Sequence, residues 1–160
     1  MYWSNFKDHA AESGLGAVPE EPLIFGKATS AICGPYDNIV IPRGSEQTDW
    51  EVELGVVIGK KTSYVDQDQA LDHVGGYVLH NDVSERAFQK DRGGQWIKGK
   101  SLAGPAGPYL VTKDEIEDVN NINFSLDLNG ERKQTGNTKD MIFNFNYLIS
   151  YISQFFTLYP

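Results

Sequence analysis

Two glutamates spaced two residues apart, inside a run otherwise typical of a buried strand, restrict what this chain can fold into. The run is Asp49-Trp-Glu-Val-Glu-Leu-Gly-Val-Val-Ile58. Because successive side chains of a strand point to opposite faces, Glu51 and Glu53 share one face and Val52 and Leu54 share the other. The apolar continuation to Ile58 predicts that the strand lies inside the protein. Carboxylates in such a place must be paired, protonated or bound to a metal.

Two interpretations of this pair are open. The commoner one for such a short motif is the exposed face of an edge strand. A metal site is favoured if a third carboxylate lies at another strand end, and Asp82, which closes the run Gly76-Tyr-Val-Leu-His-Asn-Asp82, is the candidate. Three converging carboxylates would repel one another, and a divalent cation removes that repulsion. Oxygen-only ligation suits Mg²⁺, Mn²⁺ or Ca²⁺ rather than zinc or copper.

Composition limits the partners and the compartment. The 160 residues are enough for one domain with a core. The net charge of −8, without a Lys/Arg run, argues against a nucleic-acid or anionic-membrane partner. The sequence has no apolar run of signal or membrane length. Its single cysteine, Cys33, excludes an internal disulfide, and we expect a cytoplasmic protein.

The order of predicted elements favours an α+β, mostly β fold, a β-roll or distorted barrel rather than a doubly wound sheet. The last element carries apolar residues at helical spacing, from Phe145 to Phe156, typical of a helix packed on a sheet. Asn129-Gly130 is a strong hairpin turn. No Gly-x-Gly-x-x-Gly motif indicates a dinucleotide. Beside the Glu51/Glu53 run, strands are predicted at residues 23–25, 38–42, 76–82, 108–112, 124–128 and 131–135, and short helices at 6–13 and 68–73.

Two pairs of polar residues could take part in catalysis or substrate binding if each pair lies on a helix. His9 and Glu12, at spacing i, i+3, would share a helix face, where a carboxylate raises the basicity of an imidazole, as a general base needs. The alternative is an exposed surface pair. Arg86 and Gln89 would lie together near Asp82, where an arginine can clamp a substrate carboxylate. The alternative for them is a solvated helix face.

Two lysines complete the candidate set. Lys100 lies in the glycine-rich segment Lys98-Gly-Lys-Ser101, which lacks the spacing of a phosphate-binding P-loop. A lysine near a carboxylate-bound metal can stabilise an enolate or another oxyanion. For Lys27, with Ser30, we expect only a place at the polar edge of a pocket.

Five motifs in order resemble the fumarylacetoacetate hydrolase family. The similarity covers about residues 4–160 and is nearest to a subgroup of ureidoglycolate lyase and 2,4-diketo-3-deoxy-L-fuconate hydrolase type. The motifs are Asn5-Phe-Lys-Asp-His-Ala-Ala-Glu12, Phe25-Gly-Lys-Ala-Thr-Ser30, Asp49-Trp-Glu-Val-Glu-Leu-Gly-Val-Val-Ile-Gly59, His80-Asn-Asp-Val-Ser-Glu-Arg86 and Gly94-Gln-Trp-Ile-Lys-Gly-Lys-Ser101.

The resemblance implies a mixed β-sandwich roll, a homodimer and bound Mg²⁺ or Mn²⁺. It also implies a role for each candidate residue. Glu51, Glu53 and Asp82 match the metal ligands, His9 and Glu12 the dyad that activates water, and Arg86, Gln89 and Lys100 the substrate-contacting positions. We expect His9, Glu12 and Lys100 to be catalytic, and Arg86, Gln89 and Lys27 to bind the substrate.

The chain departs from the family at both ends. Members usually begin with a small additional domain and continue into closing strands and a Thr-Gly-Thr-Pro loop, whereas this sequence ends at Pro160. Phe6 stands where the family commonly has Tyr. We therefore expect residues 1–160 to form one partial domain.

The function implied is Mg²⁺- or Mn²⁺-dependent hydrolysis of a carbon–carbon bond in a 2,4-dioxo acid, such as an acylpyruvate or a diketo-deoxy sugar acid. The products would be pyruvate and a carboxylic acid. Two alternatives stay open. One is a lyase, decarboxylase or isomerase acting on a related 2-oxo acid or ureidoglycolate through the same site. The other is a truncated, non-catalytic relative that binds metal.

Overall fold

The computed structural model describes residues 5–6, 19–91, 99 and 102–160. Its centre is a four-stranded sheet in the order β1-β6-β4-β3, and two strand pairs, β2–β5 and β7–β8, flank it. The strands are β1 (Ile32–Cys33), β2 (Thr48–Asp49), β3 (Val52–Ile58), β4 (Val74–Asn81), β5 (Ser84–Glu85), β6 (Gly104–Thr112), β7 (Asn123–Leu128) and β8 (Glu131–Asn137). The predicted mostly β fold with a mixed sheet is confirmed, because β1 runs parallel to β6 while β3, β4 and β6 are antiparallel.

The pairing of β3 with β4 sets the geometry of the site. Their register opposes Val52 to Asn81 and Glu53 to His80. Side chains that stand opposite each other lie on the same face of a sheet. The register therefore puts Glu53 and His80 on one face at the end where Glu51 precedes β3 and Asp82 follows β4.

The hairpin β7–β8 forms as predicted. Asn129 and Gly130 have φ angles of 53° and 83°, the left-handed pair that a tight hairpin turn requires. Asparagine tolerates this conformation and glycine has no Cβ to oppose it.

A C-terminal helix, α1 (Phe145–Ser153), packs against the sheet. The side chain of Asn144 caps its first turn by accepting from the Tyr147 N–H. Phe145 makes an edge-to-face contact with Tyr77 of β4 at 5.9 Å between ring centroids. Beside this buried contact, the same helix lines an apolar cleft of about 390 Å³ against β3. The buried core consists of Val65, Ala70, Val74, Tyr77, Val119, Phe145 and Ile149.

Several predicted elements are wrong. Residues 23–25 and 38–42 form no strand. Val40 is 80% exposed, so this apolar run lies on the surface instead of in a sheet. Strand β6 begins at Gly104 rather than at residue 108. Phe155 and Phe156 lie past the end of α1 and are exposed.

Other elements differ less or fall outside the description. The helix predicted at 68–73 is a short 3₁₀ turn, Ala70–His73. The helix predicted at 6–13 lies, apart from Phe6, outside the described residues. None of the described helices has the length and apolar character needed to cross a membrane.

Candidate metal centre

Three carboxylates meet where β3 begins and β4 ends. One oxygen from each of Glu51, Glu53 and Asp82 lies within 4.8 Å of the others. The backbone holds them there, because the Asp82 N–H donates to the Glu51 carbonyl at 2.8 Å. The Glu51 N–H in turn donates to the side-chain oxygen of Asn81 at 3.0 Å. The structure thus brings together the three residues that the sequence predicts as metal ligands.

Within the described residues, two cationic side chains contact this cluster. Lys27 Nζ lies 2.7 Å from Asp82 Oδ1, and both side chains are largely buried. Arg86 Nη2 lies 2.5 Å from Glu51 Oε1. Because Asp82 is only 2% exposed, its ionised form requires such partners. Lys27, predicted as a substrate-binding residue, therefore also neutralises one carboxylate of the cluster.

The guanidinium of Arg86 is fixed by three different side chains. Besides Glu51, it donates from Nε to Asp49 Oδ2 at 2.8 Å and from Nη1 to Gln89 Oε1 at 3.0 Å. The predicted side-by-side placement of Arg86 and Gln89 is therefore observed, although the segment Ala87–Asp91 is a π-helical turn. The role of Asp49 was missed, although the alternation of Glu51 and Glu53 extends back to it.

A fully buried carboxylate anchors the segment that carries Asp49. Glu85 is 0% exposed and accepts hydrogen bonds from the hydroxyls of Ser45 and Thr48. It also accepts from the backbone N–H groups of Gln47 at 2.8 Å and Ala87 at 3.1 Å. Burial disfavours its charge, but these four hydrogen bonds outweigh burial and hold the pKa of Glu85 below its ordinary value. The sequence does not single out Glu85, because nothing local distinguishes it from a surface glutamate.

His80 lies beside the cluster. The pKa of His80 is lowered, mainly because the imidazole is buried. The charge of Asp82 and a hydrogen bond with the backbone of Pro105 raise it, and the charge of Lys27 lowers it further. The imidazole fits here because Gly104 has no side chain, since a Cβ at Gly104 would lie 2.5 Å from His80 Cε1. The same Cβ would lie 2.9 Å from Lys27 Cε.

The remaining predicted residues, His9, Glu12 and Lys100, lie outside the described residues. Gly99, which precedes Lys100, is buried and lies against Gln89, since a Cβ on Gly99 would come within 2.6 Å of the Gln89 Cβ.

The donor set suits a hard divalent cation. Three carboxylates present oxygen atoms only, and these lie within 4.8 Å of one another, so that one ion could be shared by all three. Mg²⁺ and Mn²⁺ prefer such ligands, whereas zinc and copper favour imidazole and thiolate. A divalent cation held there would act as a Lewis acid towards oxygen atoms of a small molecule bound beside it.

Comparison with known protein families matches this chain to one domain type. The family described as "Fumarylacetoacetate (FAA) hydrolase C-terminal" matches residues 1–160. A protein of Burkholderia cenocepacia, provisionally named as a hydrolase, is 56% identical over 158 residues, which cover 98% of this chain and 56% of that protein. This chain therefore spans just over half the length of the curated relatives it matches.

Solved structures match the fold over nearly the whole chain. A Mycobacterium smegmatis protein provisionally named HpcE superposes with a TM-score of 0.89 at 42% identity, covering 98% of this chain and 56% of that chain. The 5-carboxymethyl-2-hydroxymuconate delta-isomerase of Mycobacterium smegmatis superposes with a TM-score of 0.87 at 33% identity, covering 98% of this chain and 61% of that chain. The mixed, mostly β architecture predicted from sequence is the architecture of these proteins.

Proposed function

The chain belongs to the fumarylacetoacetate hydrolase family, and from this premise we propose that it catalyses metal-dependent hydrolysis of a carbon–carbon bond in a 2,4-dioxo acid. The products are pyruvate and a carboxylic acid. The observation that carries the proposal is the cluster of Glu51, Glu53 and Asp82 beside the fixed guanidinium of Arg86. Such an arrangement offers a site for a divalent cation next to a site for a carboxylate.

The three carboxylates would hold Mg²⁺ or Mn²⁺. When bound, the cation supplies Lewis acidity, which makes the carbonyl carbons of the substrate more electrophilic and stabilises negative charge on its oxygens. Asp82 is tied to Lys27 in the structure, so the lysine would have to share this carboxylate with the cation.

Arg86 and Gln89 would bind the carboxylate of the substrate. Asp49 and Glu51 hold the guanidinium in one orientation, which reduces the conformational entropy lost when a substrate binds. Gln89 is 2% exposed and bonded to the same guanidinium, so the two side chains act as a rigid pair.

The bond cleavage itself is assigned to residues of the family motifs. In this proposal Glu12 orients His9, and His9 takes a proton from water as a general base. The hydroxide attacks the C4 carbonyl carbon, and the C3–C4 bond breaks as its electron pair moves into the enolate of pyruvate. Lys100 stabilises the enolate oxygen. The proton that His9 took from water then passes to C3, which gives pyruvate, and the other fragment leaves as a carboxylic acid that ionises at neutral pH.

A second candidate function is isomerisation of an unsaturated 2-oxo acid. It is favoured by the 33% identity to a protein named as a delta-isomerase. The same residues would move a proton between carbon atoms without attack by water. Lyase and decarboxylase reactions on related 2-oxo acids use the same enolate chemistry. Two further predictions from the sequence are untested: that the chain binds metal without catalysing a reaction, and that it forms a homodimer.

The test is Mn²⁺- and Mg²⁺-dependent pyruvate release from a panel of 2,4-dioxo acids, followed through lactate dehydrogenase. We expect turnover that EDTA and Glu53→Ala abolish. The matched control is Glu131→Ala, which removes an exposed glutamate of the hairpin that is paired with Lys133. Loss of the substrate's absorbance without pyruvate would favour isomerisation. No turnover with Mn²⁺ bound would contradict catalysis by this chain.

A further inference from the structure

The backbone between the two glutamates of the cluster is held by a side chain from a distant hairpin. The Val52 N–H donates to Gln134 Oε1 at 2.8 Å. The amide nitrogen Nε2 of Gln134 donates to the Val52 carbonyl at 3.2 Å. The amide of Gln134 thus makes with Val52 the two hydrogen bonds that a neighbouring strand would make.

The opposite side of the same segment is held by β4. Val52 faces Asn81 in the register, and Asn81 also accepts from the Glu51 N–H. The Asp82 N–H donates to the Glu51 carbonyl. Residues 51–53 are therefore fixed from both sides, by β4 on one and by Gln134 on the other.

The hairpin gives Gln134 a firm base. Its backbone pairs with Leu126 in the β7–β8 ladder. At the last pair of this ladder, Asn123 with Asn137, the side chain of Asn137 donates to the side-chain oxygens of Asn121 and Asn123. Because the hairpin fixes the backbone of Gln134 and its amide makes two hydrogen bonds to Val52, the position of the hairpin determines the position of Val52.

We propose that Gln134 is a positioning residue for the metal centre, which it serves by fixing the backbone between Glu51 and Glu53. The proposal rests on the proposed metal binding. Groups that orient metal ligands typically change metal affinity by about 10- to 100-fold when they are removed. We expect Gln134→Ala to weaken Mn²⁺ binding by at least about tenfold, although Gln134 itself is not a ligand.

A purely structural role for Gln134 has a different signature. In that case the variant would lower thermal stability without a specific loss of metal affinity. Arg132→Ala is the matched control, because Arg132 lies on the same strand and pairs with Asp127 across the hairpin. It weakens the hairpin without removing either hydrogen bond to Val52.

The experiment measures Mn²⁺ affinity by isothermal titration calorimetry, together with melting temperature, for the wild-type chain, Gln134→Ala, Gln134→Glu and Arg132→Ala. The glutamate variant keeps an acceptor for the Val52 N–H but sets a carboxylate against the Val52 carbonyl. If charge alone mattered, its extra negative charge would tighten Mn²⁺ binding. We expect it to weaken binding, and we expect Arg132→Ala to stay within about twofold of wild type.

The outcomes separate this inference from the proposed function. A wild-type chain that binds no Mn²⁺ overturns the metal centre, and the role of Gln134 with it. A wild-type chain that binds Mn²⁺, with Gln134→Ala within about twofold, overturns the role of Gln134 alone. Equal losses in Gln134→Ala and Arg132→Ala also overturn it. If Gln134→Ala does not fold, Gln134→Asn replaces it, because the shorter amide cannot reach both groups of Val52.

Discussion

Replacing Lys27 with methionine should lower the unfolding free energy of the metal-free protein and raise its affinity for Mn²⁺. Lys27 Nζ lies 2.7 Å from Asp82 Oδ1, and their side chains are 14% and 3% exposed. Methionine keeps much of the apolar stem of lysine but removes its charge. The carboxylate of Asp82 then faces Glu51 and Glu53 without this partner, unless a cation binds.

The structure gives the size of both effects. At an effective dielectric constant of about 20, two carboxylates at 4.8 Å repel each other by roughly 3.5 kcal/mol. Removing one member of a buried ion pair typically costs about 3–5 kcal/mol. Because Lys27 keeps some contact with solvent, we expect a loss of about 3 kcal/mol in the unfolding free energy without metal. Mn²⁺ no longer competes with the lysine for Asp82, so its affinity should rise by at least about tenfold, or about 1.4 kcal/mol.

The assay is urea unfolding in EDTA and in saturating Mn²⁺. Because a ligand that binds only the folded state stabilises it by RT ln(1 + [L]/Kd), tighter binding should reduce the deficit of Lys27→Met from about 3 to about 1.6 kcal/mol in Mn²⁺. Lys113→Met is the matched control. It removes the same charge from a lysine that bonds to the carbonyls of Leu71 and Asp72 rather than to a carboxylate.

Either of two results would refute this reasoning. If Lys27→Met binds Mn²⁺ no more tightly than the wild type and Lys113→Met is unchanged, Lys27 does not compete with a cation at Asp82. A deficit in unfolding free energy that is the same in EDTA and in Mn²⁺ would carry the same conclusion.

Three further substitutions test the surroundings of the cluster. Glu85→Gln should lose about 2 kcal/mol at neutral pH, the usual worth of a hydrogen bond to a charged group. Folding lowers the pKa of Glu85 from its ordinary 4.5, so its contribution to stability is complete above pH 4.5 and is lost as the pH falls through the pKa of the folded state. The unfolding free energies of variant and wild type, measured in urea, should therefore converge in acid. A difference that does not change with pH would contradict this. Gly104→Ala should lower the melting temperature by displacing His80 or Lys27, whereas Gly26→Ala, with nothing within 4 Å of its Cβ, should leave the melting temperature unchanged. Arg86→Lys keeps the charge but cannot reproduce the fixed fork, so the KM for a 2,4-dioxo acid should rise at least about tenfold; an unchanged KM would exclude Arg86 from substrate binding.

The parts of the site that sequence predicts are those with a local signal. Alternation with a period of two puts Glu51 and Glu53 on one face, and the polar end of the next strand supplies Asp82. Neighbouring strands in sequence commonly pair, so the meeting of the three could be expected. The Asn129-Gly130 turn likewise specifies its hairpin by itself, since few residue pairs adopt its backbone conformation.

The contacts that complete the site have no local signal. Lys27 and Asp82 are 55 residues apart, and Val52 and Gln134 are 82 apart. Whether a polar residue meets such a partner depends on how the whole sheet curls, which no short window of sequence specifies. The same reason explains the false strand at 38–42, where a strand-like composition pairs with no strand of the described residues and Val40 stays exposed.

The charges of the described cluster bear on the proposed metal centre. Four carboxylates, those of Asp49, Glu51, Glu53 and Asp82, are joined in one network with two cations, Lys27 and Arg86. The formal sum over these six described side chains is −4 + 2 = −2. If one of the two basic residues were lost, the sum would become −3, and the greater repulsion would oppose folding before any metal arrived. In the proposed metal centre, Lys27 and Arg86 would therefore help the metal-free chain to hold its carboxylates together, while the remaining negative charge would still attract a cation.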